Sequence, residues 1–277
     1  MSTRINHNVL SLTAQRNLQT TQGQLDQAVN RRSSGLRINN AWEDPAGLAI
    51  SERFRGQIAS LQEAERNANY NINLLSTAEG ALSVIDEKLV RLRALAVQAA
   101  NGSITAGDRT IIDTEFQALK SEITRIANVT NYNGINLING DYSTASIRFQ
   151  IGTYAVSGQD YYDVNINSMT NSSLGLVSSG VTTTTAALAA ITSIDTAINS
   201  KDTERTKIGS YVDRLQNSVL NLQISHENTV KSESQIRDAD IAAEMSNFTR
   251  AQILMQSGVA MLSQANLVPQ MVSQLIG

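Results

Sequence analysis

Between Pro45 and Ala100 apolar side chains return every three or four residues. Ile50, Phe54, Ile58, Leu61, Ala64, Ala68, Ile72, Leu75, Ala78, Leu82, Ile85, Leu89, Leu92, Leu95 and Ala99 form one unbroken series. The mean step is about 3.5 residues, the heptad period of a left-handed coiled coil. The spacing predicts one helix, starting at Pro45 with Asp44 as its N-cap and stopping at Asn101-Gly102. A second heptad series runs through Leu188, Ile191, Ile194 and Ile198, resumes at Ile208, Val212, Leu215, Val219 and Leu222, and fades toward Ile236. Lys201 and Arg205 fall on its seam, which reads as a polar layer inside one long helix.

Ile112, Phe116, Leu119, Ile123 and Ile126 predict a shorter helix from near Thr105, ended by Asn131-Tyr132-Asn133-Gly134. The period then drops to two. Ile147, Phe149 and Ile151 alternate with polar residues, as do Tyr162, Val164 and Ile166, which predicts a small β-hairpin region. Residues 167–185 are rich in Ser, Thr, Gly and Asn and read as a connecting loop.

The two ends of the chain resemble each other. Near the N-terminus, Ile5, Val9, Leu12, Leu18, Leu25 and Val29 recur at helical spacing among few charges. At the C-terminus, Ile241, Met245, Phe248, Met255, Val259, Leu262 and Val272 share one stripe, while Leu254, Met261, Leu267, Val268 and Met271 fall on other faces. After Asp240 the only charges are Glu244 and Arg250. A helix apolar nearly all round must be covered on several sides, so these ends are expected to pair and to need further partners. Pro269 is expected to end or kink the last helix. The fold class is therefore mainly α. The layout predicts an antiparallel coiled-coil rod with a small β-hairpin region and the terminal helices paired.

Composition removes several classes of function. Net charge is −3, with no Lys/Arg run to hold nucleic acid. Cysteine is absent, which excludes disulfides, thiolate metal sites and a cysteine nucleophile. No stretch has the run of about 18–20 apolar residues that a membrane span needs, and polar residues interrupt Met1 to Leu12 too often for a cleaved signal peptide. His7 and His226 are the only histidines; they read as an interface residue and a packing residue, not as metal ligands. Carboxylates such as Glu63 and Glu65 lie on solvated faces, and no catalytic constellation or phosphate-cradling loop is present, so neither an enzyme nor a cofactor is expected. The NxS/T triplets at Asn101, Asn128, Asn171 and Asn247 are frequent by chance. Thr182–Thr185 is a more plausible place for O-linked sugar, but a flexible loop is the stronger reading of it.

An ordered set of short motifs covers most of the chain. It comprises Ser34-Gly35-Leu36-Arg37-Ile38-Asn39, Ala46-Gly47-Leu48-Ala49-Ile50, Arg66-Asn67-Ala68-Asn69, Thr77-Ala78-Glu79-Gly80-Ala81-Leu82, Leu95-Ala96-Val97-Gln98, Asn133-Gly134-Ile135, Arg250-Ala251-Gln252-Ile253-Leu254 and Ala265-Asn266-Leu267-Val268-Pro269-Gln270. With these motifs the chain resembles the bacterial flagellins. The resemblance implies an inner-core part from residues 1–44 and 238–277 and a helical part with the hairpin from 45–237, without the outer domains of larger flagellins. It implies unfolded export through the flagellar type III apparatus and self-assembly into a filament outside the cell. The partners it implies are other copies, an export chaperone, the filament cap and the hook–filament junction proteins. Assembly contacts then fall on Ile5, Val9, Leu12, Leu18, Leu25, Ile241, Met245, Phe248, Met255, Val259 and Leu262. Chaperone contacts fall on Ile253, Leu254, Val259, Leu262 and Leu267. A patch read by an animal Toll-like receptor falls on Arg91, Leu95 and Glu115, with Ala94 where the family is often acidic. Two other readings are a hook–filament junction protein and a membrane-active amphipathic protein. Against the latter, Gln, Ser and Asn fill the polar faces where lipid-binding helices carry Lys and Arg.

Overall fold

The computed structural model describes the backbone of residues 7–276 and the side chains of 7–267 and 271. Five helices carry the fold: α1 (Val9–Ser34), α2 (Pro45–Ala100), α3 (Ala106–Val129), α4 (Thr184–Arg237) and α5 (Ile241–Ile276). Two antiparallel hairpins stand between α3 and α4: β1 (Asn131–Tyr132) with β2 (Ile135–Asn136), and β3 (Ile147–Gln150) with β4 (Tyr161–Val164). The chain divides into two compact units, one holding residues 59–227 and the other residues up to 58 together with those from 228 onward.

Local chemistry sets the helix ends. The Asp44 carboxylate accepts the Gly47 N–H at 2.8 Å, one of the donors a helix start leaves unpaired. Thr105 does the same for α3 through Asp108 N. Helix α1 runs on past Val29 to Ser34 and closes on Gly35, whose φ of 73° is left-handed.

In the unit of residues 59–227 the heptad face of α2 is buried from Leu61 to Ala99, against Phe116 and Ile123 of α3 and Ile194 and Ile208 of α4. The α4 seam differs from the sequence expectation at its first turn. Ala187, Ala190 and Ala197 are buried, whereas Leu188 is 56% exposed. The rest of the expected stripe holds: Ile194, Ile208 and Leu215 are buried, and Ile191, Ile198, Val212 and Val219 pack against the core, while the alanines that complete the seam carry little hydropathy signal. The polar layer is present, but its buried members are Lys201 and Glu204. Lys201 pairs with Asp86 and Asp202. Burial opposes its charge, yet these carboxylates win and raise its pKa. Glu204 accepts the backbone N–H of Asn167 at 3.2 Å and its side-chain amide at 2.8 Å. Arg205 sits beside the seam and reaches Glu79 at 3.0 Å.

Asn133-Gly134 does more than stop α3. With φ of 50° and 80° these residues turn β1 back onto β2, as Asn-Gly does in a type I′ hairpin. The segment 167–183 is not a free loop either. Met169, Leu174, Leu176 and Val181 are buried. Asp113 accepts the Val181 N–H at 2.8 Å, and the Lys120 ammonium donates to Val177 O at 3.1 Å and Ser179 O at 2.6 Å. A polar composition had hidden four apolar anchors.

Candidate assembly surface

The unit formed by the two chain ends is an antiparallel pair of α1 and α5. On α1 the inward residues are Asn8, Ser11, Ala14, Leu18, Thr21, Leu25, Ala28 and Arg31; on α5 they are Glu244, Phe248, Ala251, Met255, Gly258, Leu262 and Ala265. Both sets step by three and four. Ala28 and Ala251 are the buried ones. A Cβ on Gly258 would lie 2.9 Å from Leu18 Cδ1, so glycine lets the helices close up there.

Polar contacts pin both ends of the pair. Arg31 meets Glu244 at 3.3 Å, and the Arg32 guanidinium stacks 4.7 Å above the Phe248 ring. At the other end Asn8 Oδ1 accepts the Ser11 N–H at 3.0 Å, capping α1, while its Nδ2 donates to Ala265 O at 2.8 Å. Ser11 donates to Asn266 at 2.8 Å. This explains why α5 continues to Ile276 instead of ending at Pro269. A proline leaves the carbonyl four residues back without its N–H, and that carbonyl belongs to Ala265.

A clasp closes the open end of the same unit. Arg37 N donates to Arg237 O at 2.6 Å and Ala239 N to Gly35 O at 2.9 Å, a short antiparallel bridge between Leu36 and Asp238. Arg237 also pairs with Glu52 at 2.7 Å. The guanidinium of Arg237, then that of Arg55, hold the Glu52 carboxyl below the usual range.

Pairing uses only part of the apolar surface. Leu18, Leu25, Phe248, Met255 and Leu262 are half-buried along the seam, but Val9, Leu12, Ile241, Met245 and Val259 stay exposed. Ile5 lies outside the described residues. Among the expected chaperone contacts, Ile253, Leu254, Val259 and Leu267 are exposed, and Leu262 is turned toward α1. No helix among the described residues is long and apolar enough to cross a membrane. The sequence reading had missed Asn8, Ala14, Ala28, Ala251 and Gly258. Their only signal is a heptad of small and polar residues between the large ones.

In the other unit, Arg91 and Glu115 face each other across α2 and α3 at 2.7 Å, about half exposed. Leu95 is only 2% exposed and belongs to the core. As an expected surface contact it is corrected: the heptad seam holds it inside, and the patch reduces to the ion pair. His226 is half-buried and shares a 3.1 Å hydrogen bond with Gln62; His7 is exposed.

The bacterial flagellin N-terminal helical region matches residues 5–143, and the flagellin C-terminal helical region matches 191–276. A flagellin from Halalkalibacterium halodurans is 40% identical, with 98% of this chain and 99% of the relative covered. A flagellin from Bacillus subtilis is 39% identical, with 99% of each covered. The fold is also shared with a putative flagellar hook-associated protein from Vibrio parahaemolyticus, at a TM-score of 0.60 and 16% identity over 71% of this chain and all of that one. With both helical regions matched and full-length relatives near 40% identity, the chain belongs to the bacterial flagellin family, the structural subunits of the flagellar filament.

Proposed function

We propose that this flagellin polymerises outside the cell through its terminal unit, here taken as residues 1–44 and 238–277, with residues 45–237 forming the helical part. One observation carries the reading. The α1–α5 pair is complete as a two-helix seam, yet Val9, Leu10, Leu12, Ile253, Val259, Met261 and Leu267 remain 45–66% exposed around it. Burying a large aliphatic side chain is worth roughly 1.5–3 kcal/mol, so covering these side chains between copies drives association. The chain travels unfolded through the type III export apparatus. Before export a chaperone covers Ile253, Leu254, Val259 and Leu267, with Leu262 added once α1 is absent. At the growing end the filament cap, and at the base the hook–filament junction proteins, meet the same terminal unit. A Toll-like receptor reads the Arg91–Glu115 pair on the free subunit.

Electron microscopy after salting-out of the purified chain tests the central claim. The parent forms filaments, and a chain cut before Ala265 does not, although the helical content of residues 59–227 is retained. Filaments from the truncated chain would overturn the assignment of assembly to the terminal unit.

A further inference from the structure

Six charges stand on α1 and α5: Arg16, Asp26, Arg31 and Arg32 on the first, Glu244 and Arg250 on the second. Arg31 is matched with Glu244, and Arg32 lies on Phe248. Asp26 accepts only a neutral amide, Gln22 Nε2 at 3.1 Å. The Arg250 side chain has no hydrogen bond or ion pair among the described residues. One unmatched acid, Asp26, and two unmatched bases, Arg250 and Arg16 on the outer face of α1, therefore remain among the described residues in a surface otherwise poor in charge.

Their placement is complementary. Arg250 lines a recess of about 260 Å³ between the two helices, with Gln24, Gln27, Arg31 and Asn247 around it. Arg31 Nε there is buried without a partner. The side-chain amides of Gln24, Gln27 and Asn247 are also unused among the described residues, so the recess offers hydrogen-bond donors and two guanidinium groups against the one carboxylate of Glu244. Successive residues turn about 100° around a helix. Gln24 and Asp26 therefore flank Leu25 on opposite sides, and Asp26 is exposed on the side away from the recess. Along the pair, residues 26 and 250 fall at one level, between the Leu18–Gly258 and Arg31–Glu244 contacts.

A donor recess on one flank and a lone carboxylate at the same height on the other form a head-to-tail contact, the kind that builds rings and helical filaments. We propose that Asp26 of one copy enters the recess of the next and pairs with its Arg250, setting the lateral register of the terminal units. The proposal rests on the filament reading above and names the contact within it. A carboxylate held by a guanidinium and neighbouring amides out of bulk water forms charge-assisted hydrogen bonds and rejects like charge.

A charge exchange tests it. The critical concentration for seeded polymerisation is measured for the parent, Asp26→Arg, Arg250→Asp, the double exchange and an equimolar mixture of the two single variants. Each single variant should raise it about tenfold or more, the scale of a lost interfacial charge pair. The double exchange should restore it, and the mixture should co-assemble, because each single variant supplies the charge that the other lacks. Arg16→Asp, on the outer face of α1, should leave it unchanged. Far-UV circular dichroism of the monomers separates folding from assembly. Single variants that polymerise like the parent, or a folded double exchange that does not recover, overturn the Asp26–Arg250 contact and leave the filament reading intact. A parent that forms no filament at all overturns the filament reading itself.

Discussion

The side-chain amide of Asn8 donates to the carbonyl of Ala265 at 2.8 Å, and that carbonyl is the one Pro269 leaves without an intrahelical N–H. One residue at the start of the chain thus makes a proline tolerable near its end. The same side chain caps α1 through Ser11 N.

Asn8→Ala should therefore weaken the α1–α5 pair by about 1–3 kcal/mol, the cost of leaving a polar group unmatched. In a Pro269→Ala background, where the helix supplies its own N–H, the same change should cost less. Hydrogen exchange of the α5 amides in all four proteins measures the coupling. An equal cost in both backgrounds would show that Asn8 acts only as the cap of α1.

Lys120 holds residues 177–179 down on α3, and burial keeps its pKa below the usual lysine value despite the nearby Asp113 carboxylate. Lys120→Met should expose the 167–183 segment to limited proteolysis and cost about 1–3 kcal/mol for two carbonyls left unmatched. A depressed lysine pKa penalises the folded state while the group is charged. That penalty is relieved as pH rises toward the ordinary value of 10.5. The advantage of the parent over Lys120→Met in urea denaturation should accordingly grow from neutral to alkaline pH.

Tyr162 is buried with its hydroxyl unmatched, stacked against Tyr211 and lying under Arg214. Burial pushes its pKa up to about 12, against the pull of the Arg214 charge. Removing an unmatched hydroxyl should help, so Tyr162→Phe is expected to stabilise the chain by about 1 kcal/mol. The unfolded chain ionises this tyrosine near 10 and the folded chain near 12, so stability tied to it falls as pH rises between those values. Thermal denaturation at several alkaline pH values should show a shallower decline in the variant.

The Arg91–Glu115 pair is exposed and should be worth less than about 1 kcal/mol. Arg91→Ala should leave the melting temperature nearly unchanged while removing the signal of the free subunit in a Toll-like receptor reporter assay. A full signal from the folded variant would reduce the residue to a solvated charge.

Leu254 is 49% exposed, whereas Leu262 faces α1. Leu254→Glu should abolish capture of the export chaperone and leave the α1–α5 pair intact by hydrogen exchange. Leu262→Glu should damage both. Chaperone binding that survives Leu254→Glu would move the contact to another face of α5.

The sequence by itself determined the helices, because helix length and position are local matters. The α2 heptads, Asp44-Pro45 at its start, Thr105 before α3 and Asn101-Gly102 between them are all legible within a few turns of chain. The alternation around Phe149 and Tyr162 marked a hairpin for the same reason. It also determined that the two ends need partners, since neither can shed its apolar surface alone. Tertiary structure decided which residues meet. A stripe names a face of a helix but not its register against another segment, and Asn8 and Ala265 are separated by 257 positions. It decided that Ala187 and not Leu188 lines the α4 seam and that 167–183 is anchored. At the α4 seam geometry outweighed hydropathy, because the close approach of backbones favours alanine, and in 167–183 a side chain's depth depends on all the neighbours that surround it.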